Sequence, residues 1–208
     1  MPESHREILD NKTLMVLWTI TETESDLQTG LSLSAEALDR LSQRKSSVHR
    51  KGYLAIRQLL KSLDIPPAMH QYDEKGAPFL TDGRCISITH SGEVAAVAIS
   101  PTAVGIDLEP FKEKIKRVAS RFLHRSELQK PSAFEEIHYL TQLWTAKEAL
   151  YKLYKKPGLV FKEQLYIDPF HKGAFQGRGT VIDQSIATHF PLEFRHFTNF
   201  CLTLATTN

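Results

Sequence analysis

Two segments of this chain constrain its architecture most, because each repeats apolar residues at the three-and-four spacing of a helix and each is bracketed by short strand-like runs. The first spans 47–63, with Leu54, Ile56, Leu59, Leu60 and Leu63 on its apolar face, until Pro66-Pro67 forbids continuation. The second spans 137–155, with Leu140, Leu143, Trp144, Leu150, Tyr151 and Tyr154 along its stripe. A strand at 14–20 and a helix at 35–41, capped by Ser34, precede the first, and strands at 85–89 and 94–100 follow it. A strand at 105–109 and a helix at 114–123 precede the second, and strands at 165–168, 174–181, 192–197 and 200–205 follow it. The order strand, two helices, strands thus occurs twice, before and after about residue 101. The expectation is an α+β chain of two similar halves, 1–101 and 102–208.

Composition narrows the function classes. The 208 residues are 41% hydrophobic and 24% charged, which is ordinary globular content. Lys and Arg exceed Asp and Glu by only 2, too even a balance for nonspecific nucleic-acid binding. The cationic cluster Arg44, Lys45, His49, Arg50, Lys51, Arg57 and Lys61 fits either a phosphate-facing patch or a solvated helix face. Two cysteines, Cys85 and Cys201, permit neither a zinc spacing nor a disulfide framework, and both read as small core residues. The polar start of the chain is unlike a signal peptide, and no apolar run approaches the ~18 residues of a membrane span. A reducing cytoplasm, with no membrane partner, is the expected location.

Chemistry concentrates in two places. In the strand at 105–109, Val104, Ile106 and Leu108 alternate with Gly105, Asp107 and Glu109, so both carboxylates leave one face about 6 to 7 Å apart. A solvent-facing strand edge has the same pattern; the sharper reading is a pocket for one hard cation. In the second long helix, Lys147 falls in the middle of the apolar stripe, where a lysine asks for a nearby anion unless its stem snorkels outward. Glu148 lies at the stripe's edge and can complete a three-carboxylate set with Asp107 and Glu109. The bland account of Glu148 and Lys152 is an exposed helical ion pair worth about 0.3 to 0.5 kcal/mol. Together these residues suggest a divalent metal and a phosphate ligand.

Ile86-Ser87-Ile88-Thr89-His90-Ser91-Gly92 ends a strand in hydroxyls, a histidine and a glycine, all able to donate to phosphate oxygens. The adjacent Ser and His point different ways and lack a strand-to-helix elbow, which sets a serine triad aside.

The series Thr-His-Ser-Gly at 89–92, Gly-Ile-Asp-Leu-Glu at 105–109 and Trp-Thr-Ala-Lys-Glu-Ala-Leu-Tyr-Lys at 144–152 resembles the 4′-phosphopantetheinyl transferases of the surfactin-synthetase-activating type. The family's hallmarks are a Gly-x-Asp followed closely by Glu and a Trp/Phe-Ser/Thr/Cys-x-Lys-Glu-Ser/Ala-x-x-x-Lys helix, and the motifs cover roughly residues 45 to 165. The resemblance implies a monomeric pseudo-dimer of two α+β halves, the 4′-phosphopantetheinyl transferase fold, with coenzyme A and magnesium (or manganese) between them. It assigns Asp107, Glu109 and Glu148 to the metal. Lys147 and Lys152 become the helix lysines near the phosphates, His90 with Thr89 the diphosphate contact, and Arg50 the contact to the 3′-phosphate of coenzyme A. The family commonly has Gly-Lys-Pro or Gly-Arg-Pro where this chain has Gly76-Ala77-Pro78, and Lys75 is the nearest replacement for the missing cation.

The implied reaction is attack by a serine of an apo acyl or peptidyl carrier protein on the β-phosphorus of coenzyme A, releasing 3′,5′-ADP. Glu148 is the leading acceptor of the serine proton, directly or through a water, Lys152 meets charge on the leaving side, and His90 holds the diphosphate. The carrier is a second protein, and the basic amphipathic segment 111–128, with Lys112, Lys114, Lys116, Arg117, Arg121 and Arg125 among Phe111, Ile115, Phe122 and Leu123, is the expected dock for an acidic helix. Two alternatives stand beside this: a magnesium-dependent phosphohydrolase using water as nucleophile, and a catalytically silent binder of coenzyme A or carrier.

Overall fold

In the computed structural model, which describes residues 3–128 and 136–207, the chain forms two compact units, Met1–Pro101 and Thr102–Asn208. In the first, strands β1 (Glu3–Ile8) and β2 (Leu14–Thr19) precede three helices, α1 (Glu24–Gln28), α2 (Ala35–Ser42) and α3 (Ser47–Ser62). A short hairpin of β3 (His70–Tyr72) and β4 (Pro78–Leu80) follows, and then β5 (Cys85–Ser91) and β6 (Val94–Ser100). The main sheet is antiparallel in the order β1-β2-β6-β5.

Local chemistry sets the helix ends. The Ser34 hydroxyl accepts from the Ala37 N–H, and Thr23 and Asp26 close a reciprocal capping box on α1. Helix α3 does not run on to the prolines. Asp64 takes a left-handed conformation at φ 54°, and the Ile65 N–H turns back to the Leu60 carbonyl at 2.9 Å while Asp64 N–H meets Lys61 at 3.1 Å. This is a Schellman closure with Asp in the usual Gly place, anchored by the buried Ile65. The inner face of α3, including Leu54, Ile56 and Leu59, packs on Val16, Ile86 and Val97 of the sheet.

The second unit opens with β7 (Val104–Pro110) and continues through α4 (Lys114–Phe122), α5 (Arg125–Leu128), α6 (Glu136–Tyr154) and α7 (Phe161–Gln164). Strands β8 (Leu165–Ile167), β9 (Gln176–Asp183), β10 (Ile186–His196) and β11 (Phe200–Thr206) close it, in the sheet order β7-β11-β10-β9-β8. Each unit pairs an early strand with its last one, β2 with β6 and β7 with β11, and lays its long helix on that pair. Helix α6 is buried nearly all round, with Thr141, Gln142, Thr145 and Lys147 among its covered residues, so its burial extends well beyond one stripe.

Gly105 lets α6 come this close. A Cβ there would fall on the Ala149 carbonyl oxygen and lie 2.7 Å from the Leu153 amide nitrogen, so only glycine permits this approach of helix backbone to strand. In α4, Ile115 and Phe122 are buried in the unit's own core, with the Phe122 ring 5.1 Å from Trp144, while Lys114, Lys116, Arg117 and Arg121 face outward. No helix among the described residues is long and apolar enough to cross a membrane.

Candidate active site

The antiparallel register of β7 with β11 sets Asp107 opposite Thr203 and Glu109 opposite Cys201, so the four side chains share the face that α6 covers. Thr145 of α6 reaches that face: its hydroxyl lies 2.8 Å from the Thr203 hydroxyl and 3.8 Å from the Cys201 sulfur, with all three groups buried. One turn further along α6, Glu148 is half-buried, and a second turn brings Lys152. The Lys152 ammonium donates to Asp107 Oδ1 at 2.7 Å and to the Ile106 carbonyl at 2.9 Å. Lys152 is therefore held by strand β7, beyond the intrahelical pairing with Glu148 that spacing alone suggests.

Three carboxylates influence one another here. The Glu148 carboxyl is pushed up to about 7, first by burial and then by the negative charge of Asp107, with Lys152 pulling the other way and Glu109 adding to the rise. The Cys201 thiol, pushed up to about 12 chiefly by burial, stays neutral behind them. Among the described residues no three acidic, histidine or cysteine side chains already stand as a ligand cage, so the trio is linked through its charge without being preset as a chelate. The chemistry nevertheless suits a hard cation: all the donors are carboxylate oxygens, and Asp107 already accepts a cation, the Lys152 ammonium.

Lys147 has a different place from the one expected of it. It is fully buried, and its ammonium donates to the Phe122 carbonyl at 2.6 Å, to Glu127 Oε2 at 2.7 Å and to the Leu165 carbonyl at 2.8 Å. An ammonium has three N–H groups, and all are engaged inside the unit, so the expectation that Lys147 faces a phosphate gives way to a buried clamp. Burial lowers its pKa and Glu127 opposes that shift. Glu127 in turn accepts from the His124 and Ile167 amides at 2.7 and 2.9 Å. The anion that a mid-stripe lysine demands is thus in the chain, and Glu127 was missed because nothing local to it in sequence marks it as buried.

The remaining expected residues lie in the first unit. Thr89 is buried and His90 half-buried at the end of β5. His90 packs over α3 at Gly52, where any Cβ would strike the imidazole, and this explains a glycine inside a buried helix. Arg50 donates to both Glu24 carboxylate oxygens at 2.8 and 2.9 Å and to the Arg44 and Lys45 carbonyls at 3.1 Å, so a phosphate would have to compete with Glu24. Lys75 and Ala77 belong to the β3–β4 turn, where Asp73 Oδ1 accepts both of their amides at 2.9 and 2.8 Å and the Lys75 side chain is exposed. The cationic cluster does not form one patch: Arg44 and Arg57 lie over the Tyr53 ring, and Lys61 donates to the Gly30 carbonyl.

Comparison with known proteins adds an independent finding. Residues 103–205 match the family model of the 4′-phosphopantetheinyl transferase superfamily. The chain is 32% identical over 123 residues to a protein of Aneurinibacillus migulanus named 4′-phosphopantetheinyl transferase gsp, covering 56% of this chain and 52% of that one. It is 28% identical over 134 residues to a 4′-phosphopantetheinyl transferase of Bacillus subtilis, covering 58% and 59%. The matched region thus spans between half and three fifths of the length of these relatives.

Proposed function

From a chain whose residues 103–205 match the 4′-phosphopantetheinyl transferase superfamily, we propose a transferase that moves the 4′-phosphopantetheine arm of coenzyme A onto a serine of an apo acyl or peptidyl carrier protein. The observation that carries this reading is the array on β7 and α6, where Asp107, Glu109 and Glu148 are electrostatically coupled and Lys152 reaches across from the helix to Asp107. In the reaction the serine Oγ forms a bond to the β-phosphorus, the bond from that phosphorus to the bridging oxygen breaks, and 3′,5′-ADP leaves with the electron pair.

Asp107, Glu109 and Glu148 are the residues that would hold a divalent cation, magnesium or manganese, and such an ion supplies charge neutralisation at a diphosphate. Lys152, held near the carboxylates by two acceptors on β7, supplies a positive charge for the leaving oxygen. Glu148 accepts the serine proton, a role that suits a carboxylate set beside the ion's other ligands. In the first unit, His90 and Thr89 hold the diphosphate, Arg50 and Lys75 contact the nucleotide, and Gly52 makes room for the imidazole. Lys147 serves the same reaction only indirectly, by fixing α6. The shared strand pairing of the two sheets supports reading the units as halves of a monomeric pseudo-dimer. The exposed lysines and arginines of α4 are the proposed contact for an acidic carrier helix.

Intact-mass spectrometry of an apo carrier protein incubated with the chain, coenzyme A and magnesium tests the proposal. A mass gain of one phosphopantetheine, lost without metal and lost in Asp107→Ala, is the expected result. Release of free phosphopantetheine without carrier would favour a phosphohydrolase, and no turnover with binding of coenzyme A retained would favour a silent binder.

A further inference from the structure

Gln142 lies on α6, N-terminal to Glu148, and is only 2% exposed. The described residues give its buried side-chain nitrogen no hydrogen-bond partner. An amide nitrogen carries two donors, and a buried donor left unpaired is disfavoured against an apolar side chain of the same length. Leu140 and Leu143 flank it in the unit's core, so packing alone would be served by such a side chain. A glutamine kept in this place points to a use other than packing.

Helical geometry says which way it looks. At about 100° per residue, Gln142 leaves α6 within about 20° of Ala149, about 40° of His138 and about 60° of Thr145. The Ala149 backbone abuts Gly105 of β7, the His138 ring lies 4.0 Å from the ring of Phe111 just past the end of β7, and the Thr145 hydroxyl meets Thr203 and Cys201 on β11. Gln142 thus faces the sheet between the levels of Phe111 and Thr145, where Glu109 of β7 stands opposite Cys201 of β11. The other polar groups of this layer are engaged or weak. The Thr145 hydroxyl lies 2.8 Å from that of Thr203 and 3.0 Å from the Gln142 carbonyl, and Asp107 Oδ1 takes the Lys152 ammonium. The Cys201 sulfur is a poor acceptor. The Glu109 carboxylate is the strong acceptor at this level, and its two oxygens accept at about four sites.

We infer that Gln142 is a positioning residue for Glu109: its side-chain amide donates to one carboxylate oxygen and holds that carboxylate toward the cation that Asp107, Glu109 and Glu148 would share. The inference rests on the reading of those three as cation ligands and deepens it by naming what orients the second of them. A neutral donor suits the task better than a cationic one. An ammonium there would compete with the ion for Glu109, as Lys152 does at Asp107, whereas an amide N–H fixes the carboxylate and leaves its charge to the ion.

Titration calorimetry with manganese, paired with thermal denaturation of the metal-free chain, tests this. Gln142→Met keeps the length of the side chain and removes the donor. Manganese affinity should fall about tenfold or more, as it does when the hydrogen bond behind a metal ligand is lost. The melting temperature should hold or rise by up to about 4 °C, because an unpaired buried donor has gone. In a Glu109→Ala background the same substitution should leave the affinity unchanged, since the group it positions is absent. Wild-type manganese affinity in Gln142→Met would overturn the inference. So would an equal loss in the Glu109→Ala background, or a melting temperature that falls in step with affinity, since either would mark Gln142 as a packing residue. Failure of the underlying reading has its own signature: a wild-type chain that binds no manganese, or an Asp107→Ala variant that binds it as well as the wild type, would remove the carboxylate site and this inference with it.

Discussion

The Lys147 ammonium lies 2.7 Å from Glu127 Oε2 with the two side chains 0% and 2% exposed, and this pair ties α6 to the segment that follows α4. A charge pair so far from water is held by completeness. Two carbonyls and a carboxylate take the three N–H groups of the lysine, and two amides and the ammonium take the carboxylate. Removing one partner strands the other.

Lys147→Met, which keeps the stem and deletes the charge, should therefore destabilise the fold by about 3 to 5 kcal/mol. Adding Glu127→Gln should return part of that loss, because the stranded charge is then gone. Urea unfolding followed by circular dichroism measures both. A single variant as stable as the wild type would show that the pair is not the clamp described.

Lys152→Met should act on chemistry more than on folding. Loss of a charge aimed at the leaving oxygen costs on the order of a hundredfold in turnover. Manganese affinity, read by titration calorimetry, should hold or tighten, because the ammonium no longer competes for Asp107. Turnover and metal affinity falling together would place Lys152 in support of the carboxylates instead.

Gly105→Ala puts a methyl group onto the backbone of α6 at Ala149 and Leu153. Neither strand nor helix backbone can yield without moving Glu148 away from Asp107. Stability should fall by about 1 to 3 kcal/mol, the usual cost of overpacking, with transfer activity falling alongside it. Unchanged melting would mean that α6 stands off the strand further than the geometry indicates.

At Gly52 the obstacle is a side chain. Gly52→Ala gains about 1 kcal/mol of helix propensity, while the new Cβ displaces the His90 imidazole. Thermal stability should change little, and KM for coenzyme A should rise several-fold if His90 holds the diphosphate. A wild-type KM would remove His90 from that role.

His70 gives a pH signature. Its imidazole is held down to about 4 in the fold against 6.5 ordinarily, first by burial and then by Arg57 and Arg40. Between those values the unfolded chain binds the extra proton, so stability is full above pH 6.5 and falls as pH drops toward 4. The His70 contribution to the slope stays below about 1.4 kcal/mol per pH unit, since only one proton is involved. Glu148, held up to about 7, titrates in the opposite sense in wild type and variant alike, so the test is the difference in denaturation midpoint between wild type and His70→Gln, which should shift against the wild type as pH falls through this window.

The long periodic helices and the strands beside them were legible because burial of one face imposes a repeat on the sequence. Leu14–Thr19, Ala35–Ser42, Ser47–Ser62 and Val94–Ser100 lie close to where spacing, capping and turn residues put them. The strand Glu3–Ile8 was not legible. It is polar on both faces and pairs only at the sheet edge, so it carries no apolar alternation. The short hairpin strand His70–Tyr72 and the single-turn helices Arg125–Leu128 and Phe161–Gln164 are likewise too brief to establish a period.

The carboxylates Asp107 and Glu109 and the helical residues Glu148 and Lys152 were identifiable from sequence, because alternation and helical spacing are local properties of the chain. Their partners were decided by tertiary structure. Sequence spacing pairs Lys152 with Glu148, whereas the fold brings it to Asp107, 45 positions away. Lys147 sits one residue from Glu148 on the same helix, yet it turns inward to Glu127, a partner that no local repeat announces. Helical periodicity determines the direction in which a side chain leaves the helix; whether that direction ends at a ligand or in the protein's own core depends on which distant segment packs there.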